Sequence, residues 1–60
     1  MSNQQEAPAF MTLEEVGELL RMDVAACRYL ARVGKIPGAF KVGRSWRVVR
    51  AELMKIVGES

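Results

Sequence analysis

The apolar residues after Met11 recur with a helical period, and this pattern predicts a first helix. Thr12 is a good N-cap residue, and Glu15 stands three positions later, where it completes a capping box. Met11 and Val16 flank this start and are expected to pack together. Gly17 lowers helix propensity, so its expected benefit is close approach by a second helix. The apolar face is expected to consist of Val16, Leu19 and Leu20.

A second helical pattern begins at Asp23, an N-cap residue type, and runs from Val24 to Val33. Gly34 follows as a natural stop. The inner face is predicted to be Cys27, Leu30 and Ala31. The outer face, which is basic and aromatic, is predicted to be Ala25, Arg28, Tyr29 and Arg32. Because a turn of about three residues joins the two helices, the pattern predicts a helix-turn-helix.

After Gly34 the pattern changes to alternation, which predicts a β-hairpin. Pro37 and Gly38 interrupt the helical period and mark a loop. The segment Gly43-Arg44-Ser45 is interpreted as the hairpin tip, where Gly43 supplies a positive φ. Each strand is expected to alternate, with Phe40 and Val42 on one side and Lys41 opposite, and with Trp46 and Val48 on one side and Arg47 opposite.

The last segment before Gly58 predicts a short third helix that closes the core. Its apolar face is expected to be Leu53, Ile56 and Val57. Val49 and Arg50 are poor N-cap residues, so we expect fraying or an irregular start to this helix.

Trp46 suggests either base stacking or a core position, and its alternation with Val42 and Val48 favours the core. Cys27 is expected to be a small core residue rather than a nucleophile. Among the methionines, the expected core residues are Met11 and Met22, and the expected exposed residue is Met54.

The chain has 60 residues, which permits one small domain with a marginal core. It has no histidine and one cysteine, so a disulfide framework, a Cys/His zinc site within one chain and histidine-based catalysis are excluded. No apolar run approaches the ~20 residues of a membrane span, and the N-terminus lacks the apolar run of a signal peptide. We therefore expect a cytoplasmic binding module that is not an enzyme and uses no metal or other cofactor.

Polarity and charge are distributed unevenly along the chain. Residues 1–9 are polar and are expected to form a flexible tail before a domain at 10–57 and a short C-terminal tail at 58–60. The net charge is +2, but residues 1–20 hold four glutamates and no cation, whereas residues 21–50 hold eight cations and one acid. A basic middle between acidic ends is typical of a polyanion-binding face, and an ordinary solvated surface is the alternative.

Three segments of the chain carry a family resemblance when they are taken together and in order. They are TLEEVGELL at the first helix, VGKIPGAFKVG after the second helix, and RSWRV before the closing helix. With these segments, the chain from about Phe10 to Val57 resembles the excisionase-type, MerR-like winged helix-turn-helix family. The resemblance implies a mostly α fold with a small β-hairpin, in the order helix-turn-helix, wing hairpin and closing helix. It also implies binding of double-stranded DNA, with the second helix in the major groove and the wing near the minor groove.

The expected DNA contacts of the second helix come from its outer face: Ala25, Arg28, Tyr29 and Arg32. Arg28 is the better candidate for a guanine edge, and Arg32 for a phosphate. Tyr29 either contacts sugar and phosphate or bridges the helix and the wing as a partly buried residue. Ala25 and its neighbour Ala26 replace polar residues of many relatives and offer only apolar contacts, such as with a thymine methyl group.

The wing and the loop before it provide the second group of expected DNA contacts. Arg44 and Ser45 at the tip are expected to enter or straddle the minor groove, because arginine suits that narrow, negative channel. Lys41 and Arg47 are expected to lie on the exposed side of the wing and to contact phosphates, and Lys35 to do so from the loop. A flexible surface arginine is the alternative for Arg44.

Members of this family with a similar size include the recombination directionality factors of phages and mobile elements. The resemblance implies a protein that binds cooperatively beside attachment sites, bends the DNA and directs an integrase towards excision. We expect a monomer in solution, cooperative self-association on DNA, and an integrase or recombinase partner in the nucleoid of a bacterial host. A small transcriptional regulator with the same fold is the alternative, and an adaptor that binds an acidic protein is a third hypothesis.

Overall fold

The computed structural model describes residues 8–58, so the expectations for residues 1–7 and 59–60 lie outside the described residues. The elements follow in the order β1 (Phe10–Met11), α1 (Leu13–Leu20), α2 (Val24–Arg32), β2 (Ala39–Val42), β3 (Ser45–Val49) and α3 (Arg50–Val57). The three strands form one antiparallel sheet in the order β1-β3-β2. Three helices with this small sheet are a winged helix-turn-helix, which confirms the predicted fold. The strand β1 was not predicted.

The start of α1 is the capping box that the sequence predicts. The Glu15 N–H donates to Thr12 Oγ1 at 3.1 Å, and the Thr12 N–H donates to Glu15 Oε1 at 2.9 Å. The predicted face is wrong at Leu19, which is 38% exposed, while Leu13 is buried. The buried stripe therefore begins at Leu13 and continues through Val16 and Gly17, and Leu19 lies outside it because its helical angle differs.

The turn between α1 and α2 is tight and depends on Gly17. Arg21 takes the left-handed conformation with φ 60°, and the Met22 N–H donates to the Gly17 carbonyl at 2.8 Å. A Cβ at position 17 would lie 2.7 Å from the Met22 carbonyl oxygen and 3.7 Å from Cys27 Sγ. The expected close approach is confirmed, and its nearest partner is the turn backbone rather than the second helix.

The helix α2 begins after Asp23 and ends one residue earlier than predicted. Asp23 has the extended N-cap conformation, but its side chain makes no capping hydrogen bond. At the other end, Gly34 has φ 79°, the Gly34 N–H donates to the Ala31 carbonyl, and the Lys35 N–H donates to the Leu30 carbonyl at 2.8 Å. This pair of bonds is a Schellman motif, which explains why the helix stops at this glycine.

The register of the hairpin differs from the prediction. Its tip has two residues, Gly43 and Arg44, and Val42 pairs directly with Ser45. Lys41 pairs with Trp46, so these two residues share a face. The opposite face of the hairpin carries the pairs Phe40 with Arg47 and Val42 with Ser45. The prediction that Val42 shares a face with Trp46 is therefore wrong, because a tip shorter by one residue moves one strand's side chains to the other face.

The helix α3 follows β3 without a loop. The Arg50 N–H donates to the Ala9 carbonyl at 2.9 Å, and the Val49 N–H donates to the Gly38 carbonyl at 2.9 Å. No side chain caps α3, as its poor N-cap residues predict. The helix nevertheless begins regularly at Arg50, because backbone carbonyls from two other segments accept from these two donors. Leu53 is buried as predicted.

The rest of the predicted α3 face is wrong. Ile56 is 64% exposed and Val57 is also exposed, whereas Met54, expected in solvent, packs against the core. The first turns of α3 lie against β3, and the last turn remains in solvent.

The core lies between the helices and one face of the sheet. Its buried residues are Met11, Leu13, Val16, Cys27, Ala31, Ile36, Val48 and Leu53. Trp46 is half-buried and packs against this cluster, so the core assignment holds at its edge, whereas Met22 is exposed and was assigned wrongly. Burial raises the pKa of the Cys27 thiol, and the charge of Asp23 adds to this effect. Within the described part of the chain, no helix is long and apolar enough to cross a membrane.

Candidate nucleic-acid interface

The outer face of α2 presents the predicted stripe to solvent. Its four residues are all exposed: Ala25, Arg28, Tyr29 and Arg32. The Arg32 guanidinium carbon lies 5.5 Å from the centroid of the Tyr29 ring, which is a cation–π contact. Tyr29 is 53% exposed and contacts its own helix, so it does not bridge α2 and the wing. The aromatic ring instead holds Arg32 close to the helix surface.

A groove of about 200 Å³ lies between the N-terminus of α1, α2 and the wing. It brings together predicted residues from both groups, since Arg28 comes from α2, and Arg44, Ser45 and Arg47 come from the hairpin. Its other lining residues are Leu13, Glu14 and Trp46. The helix α2 and the hairpin therefore contribute to one basic surface rather than to two separate ones.

Glu14 is the residue of this groove that the sequence reasoning missed. It lies in the first turn of α1, is exposed, and is the one acid among the lining residues. A carboxylate at the second position of a capped helix is favourable to the helix dipole, and this local role does not reveal its place in the groove. A carboxylate beside three arginines lowers the positive potential of the groove and repels phosphates at this point.

The two cations of the hairpin strands do not lie together, contrary to the prediction. Lys41 is on the same face as Trp46, and its Nζ lies 5.9 Å from the centroid of the indole ring. Arg47 is on the other face, is half-buried, and donates from Nη1 to the Trp46 carbonyl at 2.8 Å. One of the five guanidinium N–H donors is thus used to fix this side chain against the strand.

The remaining wing and loop residues are placed more simply. Arg44 is exposed at the hairpin tip as predicted. Ser45 is the first residue of β3 and faces its partner Val42, so its assignment to the tip is wrong by one position. Lys35 is exposed after the end of α2 and does not line the groove between α2 and the wing.

Within residues 8–58, no acid forms an ion pair with the cations of this surface. Across residues 8–58 the ion pair within 4.0 Å is Lys55 with Glu52, at 3.5 Å, and it lies on α3. The arginines and lysines of α2 and the wing therefore keep their charge available for an external anion. No group of three His, Cys, Asp or Glu side chains in this range is arranged to hold a metal ion.

Comparison with known families gives one result that covers most of the chain. The model of a helix-turn-helix domain matches residues 10–58. No curated protein and no solved structure matches the sequence. The matched family binds DNA, is typically non-enzymatic, and includes excisionase-like proteins. The matched range contains α1, α2, the wing and α3, so the chain belongs to the helix-turn-helix domain family of DNA-binding proteins.

Proposed function

We propose that this protein is a DNA-binding accessory factor of the excisionase type, which binds beside attachment sites and directs an integrase towards excision. The observation that carries the proposal is the groove that joins Arg28 of α2 to Arg44 of the wing. A helix and a hairpin that share one basic surface can contact the major groove and an adjacent minor groove of the same duplex. The resemblance of the chain to excisionase-type proteins supports the more specific role.

In the major groove, α2 supplies the contacts that read sequence. Arg28 is exposed and has no ion-pair partner among residues 8–58, and it donates two hydrogen bonds to the O6 and N7 atoms of a guanine. Ala25 lies one turn earlier and packs against a thymine methyl group. Tyr29 and Arg32 lie towards the C-terminal end of α2, and Lys35 follows the helix. All three contact phosphates, which positions the helix.

In the minor groove, the wing supplies contacts that depend on DNA shape. Arg44 stands at the exposed tip and enters a narrow groove, where the negative potential is highest over A·T-rich DNA. Ser45 and Arg47 contact the flanking phosphates from one face of the hairpin, and Lys41 does so from the other face. Insertion of the tip favours a bend of the duplex towards the major groove.

A single copy of so small a domain covers a short site, near the lower end of the area that DNA-binding modules bury. Useful specificity therefore requires several copies side by side. We propose that the protein is a monomer in solution, loads cooperatively on repeated sites in the nucleoid of a bacterial cell, and contacts the integrase there. Direct repeats fit this loading, whereas a two-fold dimer requires a palindrome.

The second candidate function is that of a small transcriptional regulator with the same DNA-binding surface. The same groove between α2 and the wing would serve it equally, and the difference lies in which DNA is bound. A third possibility, an adaptor for an acidic protein, uses the basic face without DNA.

A gel-shift titration separates these functions. Three DNAs of equal length are compared: one with an integrase attachment site and its flanks, one with a promoter region, and one with a scrambled sequence. The proposal predicts a ladder of slow species on the attachment-site DNA alone. A single discrete complex on the promoter DNA would favour the regulator. Absence of binding to all three DNAs at low salt would leave the adaptor.

A further inference from the structure

The sheet has an outer face, turned away from the helices, that carries an exposed apolar groove. Phe10 of β1 is 52% exposed and Val42 of β2 is 58% exposed, and the Phe40 ring packs edge-on against Phe10 with centroids 5.9 Å apart. The groove has a volume of about 460 Å³, and Ser45 and Arg47 complete its lining. Aromatic and aliphatic side chains grouped in a concave surface are typical of a protein contact rather than of a phosphate contact.

A second exposed apolar surface lies on the last turn of α3. Its two residues, Ile56 and Val57, are both exposed, and neither lines the groove of the sheet. Glu52 stands one helical turn before Ile56 on the same side of the helix. This small surface therefore offers aliphatic side chains with a carboxylate beside them.

We propose that these two surfaces bind each other between neighbouring copies of this chain, so that the last turn of α3 of one copy docks in the Phe10/Phe40/Val42 groove of the next. The inference rests on the proposed function and deepens it, because it assigns the contact that produces cooperative loading. The surfaces are different, so the contact is heterologous and adds copies head to tail instead of closing a dimer. A charged pair can accompany the contact, since Arg47 lines the groove and the exposed Glu52 carboxylate stands beside Ile56, where within one copy it lies 3.5 Å from Lys55 Nζ.

The size of the two surfaces decides when the contact forms. A stable interface needs about 800 Å² from each partner, and a few half-exposed side chains on each copy supply only a fraction of this area. The chain therefore stays monomeric in dilute solution. On DNA, adjacent sites raise the effective concentration of the neighbour to about the millimolar range, where a weak contact becomes effective.

The position of the groove suits this role. It shares Ser45 and Arg47 with the basic groove that faces α2, so the two grooves meet along β3. A copy that docks on the outer face of the sheet therefore lies beside the wing of its neighbour. We expect the contact to raise the affinity for the second site roughly 5- to 30-fold, as one or two kcal/mol would.

The test compares DNA with one site and DNA with two adjacent sites, taken from the fragment that the wild-type protein protects. Phe10→Ser removes the groove side, Ile56→Ser removes the helix side, and Leu19→Ser is the matched control at an exposed leucine of α1 outside both surfaces. Circular dichroism verifies the fold of each variant. We expect all three to bind one site with unchanged affinity, and only the first two to lose the 5- to 30-fold cooperativity on two sites.

An equimolar mixture of Phe10→Ser and Ile56→Ser provides the sharper result. In one of the two orders in which the variants can bind side by side, the intact groove of Ile56→Ser meets the intact α3 surface of Phe10→Ser. A heterologous contact then restores part of the cooperativity. No restoration would show that like surfaces meet about a two-fold axis, and the proposal would be overturned. Retained cooperativity in both single variants would overturn it as well, while failure of the wild-type protein to bind one site would overturn the proposed function itself. If Phe10→Ser unfolds, Ile56→Ser at an exposed helical position still tests the contact.

Discussion

Replacement of Gly17 by alanine sets two effects of opposite sign against each other. In a helix interior alanine is favoured over glycine by about 1 kcal/mol, so local propensity alone predicts a more stable protein. In the structure, however, the added Cβ would lie 2.7 Å from the Met22 carbonyl oxygen. That carbonyl belongs to the turn whose Met22 N–H is bonded to the Gly17 carbonyl at 2.8 Å, so it cannot move without opening the turn.

Overpacking of a buried position costs about 1–3 kcal/mol, and a contact with backbone belongs at the upper end of this range. After the gain in propensity is subtracted, we expect Gly17→Ala to lower the free energy of unfolding by about 1–2 kcal/mol. For a domain of this size, each 1 kcal/mol lowers the melting temperature by about 4–8 °C. Thermal unfolding followed by far-UV circular dichroism measures this shift.

Glu18→Ala is the matched control, because Glu18 is the exposed neighbour on the same helix. It introduces alanine without a steric contact and is expected to change the free energy of unfolding by less than about 0.5 kcal/mol. A higher or unchanged melting temperature for Gly17→Ala would refute the reasoning. It would mean that the turn yields easily and does not fix the position of α2 against α1.

Three further predictions concern the turn, the DNA surface and the core edge. Arg21 has φ 60°, so Arg21→Gly should relieve left-handed strain of about 1–2 kcal/mol, less the greater entropy of glycine in the unfolded chain, and urea unfolding should give a small net gain. Arg28→Ala should cost about 1–3 kcal/mol of DNA-binding free energy and relax the preference at one base position. Arg32→Ala should weaken binding to all DNA sequences alike and lower the slope of log binding constant against log salt concentration by about one. An unchanged base preference after Arg28→Ala would contradict the role of α2. Trp46 is half-buried, so Trp46→Ala should lower the free energy of unfolding in urea by about 2–3 kcal/mol, less than the roughly 3–5 kcal/mol of a fully buried aromatic residue. A stable variant that loses only DNA binding would contradict the core assignment.

Local signals in the sequence were sufficient for the helix-turn-helix. The capping box at Thr12 and Glu15 and the glycine stop at Gly34 each depend on a few neighbouring residues, so their geometry follows from residue type and spacing. The outward stripe of α2 was predicted for the same reason. Periodicity over nine residues of one helix determines which side chains share a face.

The wing and the end of α3 could not be predicted in the same way, because their structure depends on distant partners. The sequence around Gly43 is compatible with a hairpin tip of two or of three residues. Only the pairing of Val42 with Ser45 determines on which face of the hairpin Lys41 lies. The strand β1 has two residues and exists only through its pairing with β3. Ile56 matches an apolar pattern that would bury it, but α3 packs on the sheet through its first turns.

The groove between α2 and the wing is a similar case. Its cations were recognisable from the charge distribution, but the inclusion of Glu14 depends on how α1 is set against the hairpin. No spacing within α1 carries that information. For a site shared by several elements, the sequence therefore predicts the chemical character, and the structure is needed to show which residues form the site.

The hydrogen bond from the Arg50 N–H to the Ala9 carbonyl has a consequence for how the domain folds and where it can be cut. It joins residues 41 positions apart at the point where β3 becomes α3, so Ala9 and the adjoining strand β1 dock only after nearly the whole chain is in place. The amide of Arg50 should therefore exchange its hydrogen only through global unfolding, at a rate similar to that of the core amides. The family match begins at residue 10, yet the acceptor belongs to the residue before it. A chain shortened to start at Phe10 would lose this carbonyl, and the smallest fragment that folds with full cooperativity begins at Ala9 or earlier.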